Sequence, residues 1–594
     1  MSIVFGINRQ VVVRFVPPVP GGGFTQGGLA VEFFVPQTRE SFVVRDPWTP
    51  IVLNAIWQGP KTLGQIASFT GLKSKQRLKT LVDQLFTAGV LADIEASPPP
   101  RMPKLQGLSN RDPGSAESFV ELLRKHSDDG VFREDSAHVQ GSIGGVCRFD
   151  GRQVVVFVHL LRLGQHVVGG ADFEKFLRLH QLALTSQLPF VLVGGLMRRA
   201  AQAAMPIQPK QYEAEFFTGT QGFSRLFQQL ALGSGRIPQI AIGLGFLCGP
   251  FTFLYPFGDV FIMGPRARWL LADPAMVKNF FGQDTTAEEI ASAETHAAVS
   301  GMCDLVAESD EDAIFKARQV LSHLPSYCGA RTPRAKEIVA PQISVEQLDA
   351  LERRMDADQL APFDMLEALE ALVDRGSLLQ VKDKFAPEML TAWARLGGHT
   401  VGIAANNSKY VSGAFTINAL KKAARFVSLC DAFNVPLLFF HDTTGLMADR
   451  DTLKQGIMGY AARLYSAVAH ASVPKFTIAL RKSLTAGLFA FCGPGFDPDC
   501  YLMLPGATVT TLGDRSIEDL LKALRAEGTA EAWGQLVDHE SNLRTPMSTK
   551  AYVHLITPLK HLREELIARL ELVPENPVQQ GRRGPPKKHE TAMF

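Results

Sequence analysis

One order of predicted strands and helices occurs twice and occupies most of this chain, and this repeat limits the possible folds more than any other feature. In each copy, an apolar hairpin-like run leads to a helix and then to a buried strand. The spacing between the copies is constant at 247 positions, both from Gly151 to Gly398 and from Pro189 to Pro436. Each copy continues into a strand that begins with an X-Pro pair and ends in a small-residue turn, Ile237–Gly245 and Val473–Leu480. Repeated strand–turn–helix units predict two α/β domains related by pseudo-twofold symmetry.

At 594 residues, the chain is long enough for three or four domains of ~150 residues each. A segment with five prolines and little apolar periodicity predicts an extended linker. The predicted organisation is a small module at residues 1–95, the linker at 96–114, the two copies at 115–340 and 341–573, and a disordered tail at 574–594.

Composition argues against several classes of function. The 61 lysines and arginines nearly balance the 59 aspartates and glutamates, and a net charge of +2 argues against bulk affinity for nucleic acid. The seven cysteines are never spaced C-x-x-C, which disfavours a disulfide-rich secreted protein and a zinc ribbon. We therefore expect a cytoplasmic protein without a metal site.

One uncharged stretch, Ile237–Gly258, covers 22 positions and is long enough on paper to span a bilayer. Its repeated prolines and glycines argue against a membrane helix. We expect instead a buried strand at Gln239–Leu244, followed by a glycine-rich turn and an apolar helix.

The first 95 residues show strand-like runs joined by Gly/Pro-rich turns and followed by helical segments. The strands are expected at Val11–Phe15, Leu29–Phe34 and Ser41–Val44, and the helices at Pro50–Trp57, Thr62–Phe69 and Ser74–Thr87. This order predicts a small α+β winged-helix domain.

Three functions are open for this module. It has a basic edge that could meet DNA phosphates, formed by Lys73, Lys75, Arg77 and Lys79. The near-neutral charge of the whole chain argues against DNA as a partner. The segment Thr62–Leu91 resembles the leader-peptide recognition element of enzymes that modify ribosomally made peptides, which implies a leader peptide added to the sheet edge. A generic winged-helix assembly domain is the third alternative.

Several ordered blocks of the two copies carry a clearer resemblance. They are Arg236–Gly245, Glu294–Gly301, Pro362–Val381, Val401–Asn407, Lys421–Asp442 and Val473–Lys482. Over about Glu117–Leu570, the chain resembles the biotin-dependent acyl-CoA carboxyltransferases, the β subunits of propionyl-CoA and acetyl-CoA carboxylases. The resemblance implies tandem crotonase-fold α/β domains, an acyl-CoA substrate, and a homo-oligomer whose sites form between the first half of one copy and the second half of its neighbour.

The resemblance also implies how a cofactor would reach the protein. The sequence contains no Met-Lys-Met biotinylation tripeptide and no recognisable glycine-rich ATP-binding loop. We therefore expect no covalently bound cofactor, a coenzyme A thioester as substrate, and biotin supplied on a separate carrier protein.

In this family, two backbone N–H groups at the start of a helix stabilise an enolate or ureido oxygen in each half. The first-half glycine pair reads Gly249-Pro250 here, and proline offers no N–H. The second-half turn reads Thr485-Ala486-Gly487, so that Ala486 and Gly487 keep two donors. Ala486, Gly487 and Gly249 are therefore catalytic candidates; close helix–strand packing is an equally good explanation for Ala486 and Gly487, and it is the favoured explanation for Gly249.

Further candidate site residues come from the same resemblance. Expected substrate-binding residues are Gly195, Arg198 and Arg199 in a rebuilt first-half turn, His296, Gly445, and Phe489, which would narrow the acyl pocket. Asp442 ends a buried strand and is a catalytic candidate, although it could also cap the next turn. A histidine such as His296 is more often structural. The neighbouring pair Arg481-Lys482 is expected on a solvated rim.

The sequence therefore favours a diverged acyl-CoA carboxyltransferase-like enzyme that acts on a peptide or carrier-linked substrate in ribosomal-peptide biosynthesis. A conventional biotin-dependent acyl-CoA carboxylase β subunit is one alternative. A catalytically degenerate peptide-binding scaffold is the other, favoured by Pro250 and disfavoured by the donors at Ala486 and Gly487.

Overall fold

The protein is described from a computed structural model. The structure describes residues 116–135, 141–162, 165–166, 170–197, 222–510, 522 and 553–572, together with short strands and helical residues before position 94. The chain divides into two compact units, Met1–Arg111 and Asp112–Phe594.

The first unit contains two small antiparallel sheets. Its strands are β1 (Val4–Ile7), β2 (Val12–Val16), β3 (Ala30–Val35), β4 (Glu40–Val44), β5 (Lys61–Thr62) and β6 (Leu91–Asp93). Strands β2, β3 and β4 form one sheet, and β5, β1 and β6 form the other. The three strands predicted from the sequence are confirmed to within one residue at each end.

The predicted helices of this unit are only partly tested. Residues 79, 80, 82 and 83 are helical, as expected for the helix at Ser74–Thr87. Thr62 belongs to strand β5, so a helix cannot begin there. The helix at Pro50–Trp57, residues 63–69, the basic positions 73, 75 and 77, the linker and the tail all lie outside the described residues. The winged-helix arrangement stays a prediction.

The second unit begins with an α/β half built around an eight-stranded sheet. The strands of that sheet are β7 (Arg133–Glu134), β8 (Ser142–Phe149), β9 (Arg152–Arg162), β10 (Gln165–His166), β11 (Phe190–Met197), β12 (Gln239–Gly243), β14 (Val260–Met263) and β16 (Leu305–Val306), while β13 (Phe246–Cys248) and β15 (Arg268–Leu270) form a separate two-stranded sheet. Its helices are α1 (Ala116–His126), α2 (Gly170–Thr185), α3 (Phe223–Gly233), α4 (Pro274–Phe281), α5 (Ala287–Ala291), α6 (Ala293–Ala298) and α7 (Asp310–His323), with a 3₁₀ helix at Pro250–Phe257.

The second half repeats this order. Its strands are β17 (Leu379–Gln380), β18 (Met389–Leu396), β19 (His399–Asn406), β20 (Leu437–Thr443), β21 (Lys475–Leu484), β22 (Cys500–Met503), β23 (Thr508–Thr510) and β24 (Leu555–Ile556). Its helices are α8 (Val345–Ala357), α9 (Met365–Leu372), α10 (Ile417–Ala432), α11 (Arg450–Lys454), α12 (Ile457–His470), α13 (Ala486–Ala490) and α14 (Leu559–Leu572), with 3₁₀ turns at Val411–Gly413 and Pro494–Phe496.

The strand order confirms the repeat seen in the sequence. The first sheet runs β16-β14-β12-β11-β9-β8-β7, and the second runs β24-β22-β21-β20-β19-β18-β17. Gly151 and Gly398 have φ angles of 80° and 79° in equivalent hairpin turns, a conformation that glycine adopts without strain. The carbonyls of Pro189 and Pro436 accept equivalent hydrogen bonds, from the N–H groups of Val155 and Gly402.

Buried apolar residues of both halves form one continuous core, in which Val156 and Ile240 of the first half share a cluster with Trp393 and Phe439 of the second. A buried ion cluster also joins the halves. Asp304 Oδ1 lies 2.9 Å from Arg425 Nη1 and 3.1 Å from Lys382 Nζ. Removing Asp304 would leave two buried cations without the carboxylate that compensates them.

The uncharged stretch at residues 237–258 folds as expected in part. The strand β12 is present, but the apolar helix is a 3₁₀ helix that begins at Pro250 and contains Pro256. Pro250 at the first helical position costs no hydrogen bond, but Pro256 lacks the N–H that a continuous α-helix would need at that point. In the described part of the chain, no helix is both long and apolar enough to cross a membrane.

Candidate active site

The second-half turn joins the end of β21 to α13. Thr485 has φ 51° and ψ −134°, and its N–H donates to Thr510 O at 3.0 Å. The N–H of Leu488 donates back to Thr485 O at 3.1 Å. The N–H groups of Ala486 and Gly487 therefore belong to the first helical turn, where a helix supplies no acceptor of its own. This is the arrangement that can bind a developing oxyanion.

Close packing against a neighbouring loop fixes this turn. A Cβ atom added at Gly487 would lie 2.5 Å from Thr443 Cγ2, and one added at Gly445 would overlap Thr485 Oγ1. Gly445 has φ 104°, and its N–H donates to Thr443 Oγ1 at 3.0 Å. The structure thus brings Gly445 and Gly487 together and leaves no room for a side chain on either residue.

The first-half turn has the same backbone path. Gly249 has φ 89° and ψ −159°, its N–H donates to Leu270 O at 2.9 Å, and its carbonyl accepts from Thr252 N at 3.0 Å. These bonds correspond one by one to those of Thr485, 236 positions later. Pro250 therefore occupies the position of Ala486, and Phe251 that of Gly487.

This correspondence defines the donors of the first turn. The Gly249 N–H is used within the sheet, and Pro250 has none, so Phe251 supplies the one N–H equivalent to the Ala486–Gly487 pair. Sequence reasoning did not single out Phe251. The equivalence of Phe251 and Gly487 could have been found from the X-Pro pairs that begin the preceding strands, because those pairs, at Ile237 and Val473, are also 236 positions apart.

Gly195 lies near the end of β11 with φ 84°, and a Cβ atom there would overlap the backbone N of Gly245. The backbone of β11 meets the segment between β12 and β13 at this point, which explains the need for glycine. Arg198 and Arg199, the other residues predicted in this turn, lie outside the described residues.

Asp442 occupies the position of Gly195 in the second half, and Arg481 that of Gly245. Asp442 Oδ2 lies 3.0 Å from Arg481 Nη1, and Asp442 Oδ1 lies 2.7 Å from Lys482 Nζ. Ser408 Oγ also donates to Asp442 Oδ2. All of these side chains are buried. Asp442 is thus part of a buried ion network, and its catalytic role stays a prediction.

The expectation of a solvated rim at Arg481-Lys482 is wrong. Arg481 is 1% exposed and donates to the carbonyls of Met355, Asp358 and Ala361. Lys482 Nζ donates to Gln359 O at 3.0 Å, and burial lowers the pKa of its ammonium while Asp442 opposes the shift. The two side chains hold the end of α8 and the following loop against the second sheet.

His296 lies in α6, away from either turn in the chain, and its ring is buried. Its Nε2 lies 3.0 Å from Trp269 O, and its Nδ1 lies 3.0 Å from Ser300 Oγ. Burial lowers the pKa of the imidazole, and the bond to Trp269 O opposes this shift. With both nitrogens paired inside the protein, the ring is held in one orientation, and its role toward a substrate stays a prediction.

Phe489 follows the second-half turn on α13 and is 48% exposed. Phe253 occupies the equivalent position after the first-half turn and is 46% exposed. Each half therefore presents one phenyl ring beside its turn. Within the described residues, no cluster of three His, Cys, Asp or Glu side chains could hold a metal ion.

Comparison with known proteins agrees with this geometry. The profile of the carboxyl transferase domain family matches residues 118–579. The chain is 30% identical over 482 residues to the uncharacterized carboxylase YngE of Bacillus subtilis (strain 168), covering 78% of this chain and 91% of that protein. It is 28% identical over 496 residues to the biotin-dependent acetyl-/propionyl-coenzyme A carboxylase beta5 subunit of Mycobacterium tuberculosis (strain CDC 1551 / Oshkosh), covering 80% and 86%.

A solved structure shares the fold. The crystal structure of transcarboxylase 12S, a hexamer assembly with methylmalonyl-coenzyme A and methylmalonic acid bound, superposes with a TM-score of 0.69 at 25% identity. The superposition covers 87% of this chain and 99% of that chain.

Proposed function

Because this chain belongs to the carboxyl transferase domain family and has its crotonase-like α/β fold, we propose that it transfers a carboxyl group between biotin on a separate carrier protein and an acyl-CoA. This is the conventional alternative that the sequence left open. The ribosomal-peptide interpretation has no counterpart in the relatives described above, which are carboxylases and a transcarboxylase.

One observation carries the proposal: in both halves a strand ends in a residue with positive φ, and a helical turn follows whose first N–H groups have no acceptor within the helix. Carboxyl transfer places negative charge on the thioester oxygen of the acyl-CoA and on the ureido oxygen of biotin. Preorganised N–H donors at a helix start stabilise such charge. Two related turns therefore suit a reaction between two carbonyl-containing partners.

The donor set fits these partners. At the second-half turn, Ala486 and Gly487 offer a pair of N–H groups, which we assign to the ureido oxygen of carrier-borne biotin. At the first-half turn, Phe251 offers a single N–H, which we assign to the thioester oxygen of the acyl-CoA. Biotin, when bound, would accept the carboxyl group on a ureido nitrogen or, in its N-carboxylated form, supply that group in a readily transferred form. Loss of one donor at the thioester costs about 3 kcal/mol of transition-state stabilisation, so we expect slow transfer.

The assembly belongs to the proposal as well. The transcarboxylase 12S structure is a hexamer, and the family resemblance places each site between two copies. We propose that this chain also works as a homo-oligomer in which the first-half turn of one copy faces the second-half turn of its neighbour. In that arrangement, an isolated monomer would lack a complete site.

The test is transfer of label from carboxyl-labelled malonyl-CoA or methylmalonyl-CoA to a purified biotinylated carrier domain. We expect label on the biotinylated carrier and none on the same carrier without biotin. Absence of label transfer with both of these acyl-CoAs and with a carboxyl-labelled long-chain 2-carboxyacyl-CoA, from a folded and oligomeric protein, would contradict the proposed function.

A further inference from the structure

A cluster of aromatic side chains surrounds the first-half turn. Phe251 packs at 4.7 Å from Phe223 and 4.5 Å from His159, measured between ring centroids. Above this layer, Phe227 contacts Phe253 edge to face at 6.4 Å and stacks on Phe257 at 5.8 Å. Edge-to-face and stacked rings hold one another in fixed orientations. Phe253 is therefore a supported aromatic surface and not a freely rotating side chain.

The position of Phe253 relates it to the proposed thioester site. In a 3₁₀ helix, residues three apart lie on one face, so Phe253 stands on the face of Pro250, at the start of the helix. The adjacent Phe251 supplies the N–H assigned to the thioester oxygen. In the second half, Ala486 and Phe489 have the same three-residue spacing on α13. Phe253 and Phe489 are thus equivalent exposed rings beside equivalent turns.

We propose that Phe253 is a specificity-determining residue of this site, an aromatic wall that selects acyl-CoA thioesters with an extended apolar acyl group over acetyl-CoA. The inference rests on the proposed function, because it takes the first-half turn as the thioester site. An exposed ring of this size gains affinity by covering apolar surface of a ligand. An acetyl group is too short to offer such surface, whereas a medium-length aliphatic chain would lie along the ring.

The experiment is calorimetric titration of the full-length protein with acetyl-CoA, octanoyl-CoA and free coenzyme A, which requires neither biotin nor turnover. Wild type should bind octanoyl-CoA more tightly than acetyl-CoA. Phe253→Ala should weaken octanoyl-CoA binding about tenfold and leave acetyl-CoA and coenzyme A unchanged. Phe253→Leu, which keeps apolar volume, should retain part of the preference. Phe315→Ala is the matched control, because it removes a 50% exposed ring on α7 and should change no affinity.

The outcomes separate this inference from the proposed function. Equal binding of octanoyl-CoA by wild type and Phe253→Ala would overturn the inference alone. A fall in oligomeric mass in Phe253→Ala would also overturn it, because the ring would then serve contacts between copies. Failure of wild type to bind any acyl-CoA would overturn the proposed function and this inference with it.

Discussion

Pro250 and Ala486 occupy the same position in the two halves, the first helical residue after a strand end whose preceding residue has a positive φ. The surrounding backbone hydrogen bonds are equivalent, so the chemical difference at this position is one N–H group. The two turns therefore share a shape and differ in their power to stabilise an oxyanion.

Pro250→Ala is expected to accelerate carboxyl transfer. The substitution restores the missing N–H at a position where helical φ suits both residues, and one oxyanion donor is worth a factor of about a hundred or more. The measurement is the initial rate of label transfer, compared with wild type. An unchanged rate in a folded variant would contradict the assignment of the thioester to this turn.

Gly487→Ala is expected to lower the rate without unfolding the protein. The new methyl group would press on Thr443 and displace the turn that carries the Ala486 and Gly487 donors. Gly459→Ala in α12 is the matched control, because a Cβ atom there meets nothing within 4 Å and alanine favours a helix. Equal rates for both variants would show that the geometry of the second turn does not matter for catalysis.

Arg481→Met is expected to lower the free energy of unfolding by about 3 to 5 kcal/mol, because it breaks a buried ion network and leaves three carbonyls without their donor. Arg354→Met is the control: Arg354 pairs with Glu367 on the surface, and exposed pairs contribute less than about 1 kcal/mol. Thermal unfolding of the two variants checks this. Similar losses would mean that the Asp442 network does not stabilise the fold.

Stability is expected to fall as the pH drops from about 6.5 toward 4, in part through His441. Burial lowers the pKa of this imidazole to about 4, and its nitrogens lie 2.8 Å from Ser483 Oγ and Phe491 O. Above pH 6.5 the ring is neutral in both states. Below pH 6.5, the imidazole binds a proton in the unfolded chain but stays neutral in the folded protein, and this difference favours unfolding.

Replacing His441 by Gln isolates this contribution. The loss of free energy between pH 7 and pH 4 should shrink by about 3 kcal/mol relative to wild type, since one pKa unit corresponds to 1.36 kcal/mol. Chemical denaturation at several pH values provides the measurement. Parallel pH profiles for wild type and His441→Gln would contradict the depressed pKa.

Much of the fold could be predicted because the repeat is visible in local patterns. Gly151 and Gly398 marked equivalent hairpins, and apolar runs marked the central strands of both sheets. The 3₁₀ helix at Pro250–Phe257 was not predicted. Its apolar residues indicated a helix, but its internal proline favours the 3₁₀ form over the α-helical form.

The candidate site was harder to predict, for two reasons. The repeat is offset by 247 residues up to β20 but by 236 at the turns, which obscured the equivalence of Phe253 and Phe489. The buried state of Arg481 depends on carbonyls more than a hundred positions earlier in the chain. Charged side chains usually face water, and they are buried only where folding brings them polar partners, here from residues that are distant in the sequence.

The most direct test of the central claim compares wild type with Ala486→Pro in the transfer of label from carboxyl-labelled acyl-CoA to a biotinylated carrier. Ala486→Pro copies the first-half turn into the second by removing one N–H and changing no charge. We predict measurable transfer by wild type and a rate about a hundredfold to a thousandfold lower in the variant, with unchanged oligomeric mass. Equal rates in the two proteins would contradict the claim that the backbone donors of this turn carry the chemistry.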